Sequence, residues 1–165
     1  MKLDYREEGK VKIDMTDYLK KILDDLPNKY QGRAITLSAN HIFEVNKTMR
    51  KLSDKDAQSF HTIVTNLFLL YKRARPDILT GVVFLKTRVR EPDKDDDKKL
   101  SRILKYLSGT RDLVLTLESD VTGSVKWWVD AAFAVHHEMK SHTGGMMSMG
   151  RGALYFAFSF CLLDA

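Results

Sequence analysis

Apolar and polar positions change period along this chain, and each change marks an element. From Gly9 to Met15 they alternate, with Val11, Ile13 and Met15 set between polar neighbours, the period of a half-buried strand. Thr16 then has the character of an N-cap, with Asp17 in the first turn. Tyr18, Leu19, Ile22, Leu23 and Leu26 follow at helical spacing until Pro27 closes the run. Residues 28–52 are polar, hold Gly32 and read as a loop with one turn of helix near Ile42.

Three further helices are expected. One starts at Ser53 or Asp54, where Ser53 and Asp56 have the spacing of a capping box. Its apolar stripe is Ala57, Phe60, Ile63, Val64, Leu67, Leu70 and Tyr71. Pro76 suits the first turn of the next, whose buried face is Ile78, Val82, Leu85 and Val89, and Pro92 breaks it. The last carries Asp93, Asp95, Asp96 and Asp97 near its N-terminus, favourable against the macrodipole, and ends at Gly109 with a Leu100, Ile103, Leu104, Leu107 stripe.

After Gly109 the period returns to two. Leu113, Leu115 and Leu117 form one alternating set and Val125, Trp127 and Val129 another, with Gly123-Ser124 between them as a hairpin connection. A third strand is expected from Gly145 to Met149 and a fourth from Ala153 to Phe158, joined by a Gly150-Arg151-Gly152 turn. The expected class is α+β: a helical N-terminal two-thirds, then an antiparallel meander beginning near residue 112. No internal repeat is evident.

Composition narrows the class. With 165 residues, 44% hydrophobic and three prolines, the chain can bury a real core and is not a disordered tail. A single cysteine, Cys161, excludes an internal disulfide and a four-cysteine zinc module. The apolar run from Gly152 to Leu163 is too short to cross a bilayer, and charge begins at Lys2 rather than after a signal-like stretch. The expectation is an intracellular chain with no membrane partner, cytoplasm and nucleus not being distinguished. The net charge of +5 is N-terminal in origin: residues 1–75 hold 15 Lys/Arg against 10 Asp/Glu, whereas residues 119–165 hold three against four. Such an excess can follow a phosphate backbone or serve as a solvated surface.

Few side chains are candidates for chemistry. Asp130 closes the apolar run from Val125 to Val129 and precedes the small Ala131 and Ala132. A carboxylate so placed can hold a divalent metal if other carboxylates converge on it, or it can cap the turn after the strand. His136, His137 and His142 lie near Glu138 without the spacing of a zinc helix, and they read as solvated loop histidines. Asp95, Asp96 and Asp97 point in different directions along a helix, and Met146, Met147 and Met149 read as core filler, so no metal site is expected. The run Lys72-Arg73-Ala74-Arg75 is the candidate phosphate contact, with solubility as the competing reading. No nucleophile triad, Walker loop or dinucleotide fingerprint occurs.

Three stretches, taken in order, resemble a known family. They are Arg73-Ala-Arg-Pro-Asp-Ile78, Lys98-Lys-Leu-Ser-Arg-Ile-Leu-Lys-Tyr-Leu-Ser-Gly-Thr110, and Trp128-Val-Asp-Ala131 with Ser141-His-Thr-Gly-Gly145. Together they resemble the copia-type retrotransposon polyprotein, from the C-terminal thumb and connection of its reverse transcriptase (here residues 1–111) into the opening of its ribonuclease H domain (residues 112–165). The resemblance implies RNA-directed DNA polymerase and ribonuclease H ancestry. The family's Tyr-Xaa-Asp-Asp turn does not occur here and is expected upstream of Met1. Asp130 matches the first ribonuclease H carboxylate and is expected to end the central strand of a three-stranded meander. The family's next acids, in a Ser-Thr-Glu-Ala-Glu-like helix, have no counterpart where this chain runs Phe156-Ala-Phe-Ser-Phe-Cys-Leu-Leu-Asp-Ala165, and the Ser-Lys-Lys-Gln-like segment is missing too.

One carboxylate cannot hold the two metals that phosphodiester hydrolysis requires. The expectation is therefore a piece without enzymatic activity, binding no cofactor alone although the intact family uses magnesium. Asp130 remains as a remnant, and Lys72, Arg73 and Arg75 are left to bind an RNA/DNA hybrid. The rest of the polyprotein is the other expected partner. The alternative is a small interaction or assembly module docking through its apolar C-terminus, since Trp127 or Trp128 and the row Phe156, Phe158, Phe160 are expected to leave apolar surface uncovered.

Overall fold

The N-terminal alternating segment pairs not with its neighbours in sequence alone but with a strand far along the chain. The computed structural model describes residues 1–37, 42–46, 48–133 and 141–161. His136, His137, Glu138 and residues 162–165 lie outside the described residues. The fold is α+β, with four α-helices and two antiparallel sheets among the described residues. It divides into two units, residues 16–113 and residues 1–15 with 114–165. Among the described residues no helix is long and apolar enough to cross a membrane.

The first unit is helical: α1 Thr16–Asp24, α2 Asp54–Arg73, α3 Leu79–Arg88 and α4 Lys94–Gly109, with 3-10 turns at Asn28–Tyr30 and Pro76–Ile78. Its core is the set of predicted stripes. Phe60, Leu67 and Leu70 of α2, Val82 and Leu85 of α3, and all four apolar residues of the α4 stripe are fully buried, as is Ile78. Helix α3 ends one residue before Val89, which is only half-buried. Phe84 takes the buried place instead and meets the Phe43 ring edge-on at 5.8 Å.

The caps explain where the long helices begin. The Asp93 carboxylate accepts from the Asp95 and Asp96 amides at 2.8 and 2.9 Å, and Asp96 accepts from the Asp93 amide at 3.1 Å, a complete capping box. Burial pushes the Asp96 carboxyl up from its ordinary value, although Arg88 lies 3.1 Å away and opposes the shift. At α2, Ser53 Oγ accepts from the Asp56 amide at 3.3 Å and donates its hydroxyl to the Asp56 carboxylate at 2.7 Å.

The second unit holds two sheets. In the first the order is β1 (Lys2–Asp4), β2 (Lys10–Asp14), β3 (Leu115–Ser119), β6 (Gly150–Arg151); in the second it is β4 (Lys126–Ala132), β5 (Ser141–Ser148), β7 (Tyr155–Cys161). The expected hairpin through Gly123-Ser124 does not form. β3 pairs with β2 and β6, whereas β4 pairs with β5. The reason is apolar matching: Val11 stands opposite Leu117 and Ile13 opposite Leu115. Alternation identifies a strand and its faces, but it leaves the partner open. Gly150-Arg151 is likewise more than a turn, because it pairs with Ser119 and Glu118. Gly152 holds φ at +82°, and a Cβ there would lie 2.2 Å from the Thr116 carbonyl oxygen, so the close approach beside β3 needs glycine.

Candidate nucleic-acid interface

The C-terminal half of α2 packs on α3, and this places two lysines over one ring. Lys72 Nζ lies 4.6 Å from the Phe68 ring centroid and Lys86 Nζ 4.0 Å from it, while the ring itself meets Tyr71 edge-on at 5.0 Å. The negative face of an aromatic ring attracts ammonium groups and offsets part of their mutual repulsion. Lys72, Arg73 and Lys86 are exposed. An anion can therefore be met by cations from two helices. The sequence does not single out Lys86, because no spacing links α3 to α2; only Phe68 and Lys72, one helical turn apart, carry a local signal.

Arg75 belongs to a different structure from its neighbours. Its side chain is 3% exposed and forks onto Asp77, with Nε 2.9 Å from Oδ1 and Nη2 2.7 Å from Oδ2. It also donates to the Thr110 carbonyl oxygen at 3.0 Å and to Thr110 Oγ1 at 2.7 Å. Tyr106 donates its hydroxyl to Asp77 at 2.9 Å, and its ring centroid lies 5.7 Å from the guanidinium carbon. Burial, then the Asp77 charge, pushes the Tyr106 hydroxyl up, which keeps it a donor. The Arg-Pro-Asp and Tyr-Leu-Ser-Gly-Thr stretches thus meet in one clamp between the α2–α3 junction and the end of α4. Its guanidinium is committed inside the fold, which removes Arg75 from the exposed cationic group.

Asp130 lies within β4 rather than at its end, and among the described residues β4 is an edge of its sheet and β5 the central strand. Both the strand-end and the turn-cap expectations for Asp130 are corrected by this placement. Asp130 stands opposite Gly144, which stands opposite Phe158. Alternation puts Trp128, Ala132, Met146, His142 and Phe156 on the same face. The His142 ring stacks on Phe158 at 5.1 Å. Among the described residues no three His, Cys, Asp or Glu side chains cluster as metal ligands. A pair of magnesium ions needs oxygen-rich shells built from several carboxylates. The other face carries Trp127 and Tyr155, 6.0 Å apart, and Trp127, Trp128 and Val129 are 57%, 48% and 72% exposed.

No family model matches the chain, and no solved structure matches it. It is similar to a protein of Saccharomyces cerevisiae whose name assigns it to transposon Ty5-1. The two are 30% identical over 99 residues, which make up 60% of this chain and 32% of the yeast protein. The chain spans about a third of the length of the curated relative it matches. That similarity supports a retrotransposon-derived chain.

Proposed function

We propose that this chain is a piece of a copia-type retrotransposon polyprotein, running from the end of the reverse transcriptase into the ribonuclease H domain. In this reading it has no catalytic activity of its own and binds a nucleic-acid backbone. The similarity to the yeast transposon protein supports the retrotransposon origin, and the resemblance of the motif stretches supplies the rest of the reading. Two features are consistent with it. The motif stretches shared with the family sit at structurally committed places, in the Arg75 clamp and on the strand that holds Asp130. Exposed cations at Lys72, Arg73 and Lys86 offer phosphate contacts, which position a duplex without reading its sequence. The partners in this reading are an RNA/DNA hybrid and the rest of the polyprotein, inside the cell.

Binding to a hybrid is expected to weaken as salt rises, because phosphate contacts release counterions. Replacing Lys72, Arg73 and Lys86 together by alanine should make the slope of log affinity against log salt shallower by roughly 2 to 3, about 0.9 per lost contact. Fluorescence anisotropy across a salt series measures this. An unchanged slope returns these side chains to a solubility role.

A second reading, a protein-interaction module, is favoured by the exposure of Trp127, Trp128, Val129 and Tyr155. Association that is insensitive to salt, with no hybrid binding, is its signature.

A further inference from the structure

We propose that β4 is a self-pairing edge, through which two copies of this chain join antiparallel about Trp128. Such pairing is independent of nucleic-acid binding and rests on the order of side chains along one strand.

Among the described residues β4 pairs only with β5, so its outward backbone donors and acceptors face away from the sheet. The strand runs Lys126-Trp-Trp-Val-Asp-Ala-Ala132 and contains no proline. Edge strands commonly discourage pairing with proline or with charges of one sign. Here the two charges are opposite and sit symmetrically about Trp128. Antiparallel pairing of the strand with itself about that residue sets each Lys126 opposite the second copy's Asp130. It also sets each Trp127 opposite the second copy's Val129, and Trp128 opposite its own counterpart. Opposite charges, an aromatic with a β-branched residue, and an aromatic pair are each favourable across strands.

The neighbouring registers lose this match. Directly opposite residues in an antiparallel sheet share a face, so the nearest alternative centres of symmetry are Trp127 and Val129. Centred on Val129, Lys126 meets Ala132 and Trp128 meets Asp130; centred on Trp127, Lys126 meets Trp128 and Asp130 meets Ser124. Of the three, the Trp128 centre alone pairs both charges. Lys126 bonds to Asp120 of its own chain, but with the lysine side chain 47% exposed that partly solvated pair can be shared or exchanged. Pairing also covers the exposed flanks of Trp127, Trp128 and Val129.

The test is sedimentation velocity of the whole chain over a concentration series. The wild-type protein is expected to form a reversible dimer. Lys126→Asp places acidic groups opposite one another and Asp130→Lys places basic groups opposite one another, so each alone should associate roughly tenfold more weakly or worse. An equimolar mixture of the two variants should restore the dimer as a heterodimer, because an acidic strand then meets a basic one. Both positions are exposed, and circular dichroism of each variant checks that the fold is kept. A wild-type protein that stays monomeric at every concentration overturns the proposal. So do single variants that associate as tightly as wild type, or a mixture that pairs no better than its components.

Discussion

Replacing Arg75 by alanine is expected to destabilise the helical unit by about 2 to 4 kcal/mol, while the same change at Arg73, two residues away, should cost less than about half a kcal/mol. The difference follows from where each guanidinium lies. Arg75 is almost wholly buried, and its removal leaves the Thr110 hydroxyl oxygen without its donor, the Thr110 carbonyl with only the 3.3 Å bond from the Leu113 amide, and the Asp77 carboxylate without its fork. Breaking a fully buried ion pair costs about 3 to 5 kcal/mol; the lower range applies here because Asp77 is a third exposed and water can partly replace the lost donor. Arg75→Lys should recover little, since an ammonium cannot reproduce two parallel bonds to one carboxylate. Urea unfolding followed by helical circular dichroism measures all three. Equal losses at Arg73 and Arg75 contradict the clamp.

Leu104→Ala should cost about 2 to 5 kcal/mol in the same assay. Leu104 is fully buried, in the middle of a stripe whose other members, Leu100, Ile103 and Leu107, are equally inaccessible, and α2 and α3 bring their own buried residues against α4. Truncation loses the transfer free energy of the removed atoms and leaves a cavity that the packed neighbours fill only in part. A loss below about half a kcal/mol, the range of ordinary surface changes, contradicts a shared helical core.

The helices are legible in the sequence because their signals are local. The α4 stripe repeats every three or four residues between an aspartate-rich start and a glycine end, and each signal acts within a turn or two of the residue that carries it. The strands are legible as strands but not in their pairing. β1 is only three residues long, too short to show alternation, and β2 finds β3 through apolar pairs that no local pattern announces. The edge position of β4 follows from that same pairing. The basic run at 72–75 reads as one group because adjacent charges look alike in sequence. The backbone turn after α2 separates them, sending Arg75 inward to Asp77 and Thr110 while Lys72 stays beside Phe68. Lys86 joins the group only through the packing of α3 on α2.

The proposal that this chain comes from a retrotransposon and binds nucleic acid without cutting it is tested at Asp130. Its carboxylate shares a sheet face with His142, Phe156 and Phe158, and no cluster of metal-ligating side chains forms around it among the described residues. The measurement is cleavage of a labelled RNA strand in an RNA/DNA hybrid by the purified chain, with and without magnesium, beside Asp130→Asn. No magnesium-dependent product is expected from either protein. Cleavage by the wild-type chain that requires magnesium and disappears in Asp130→Asn would contradict a non-cutting chain.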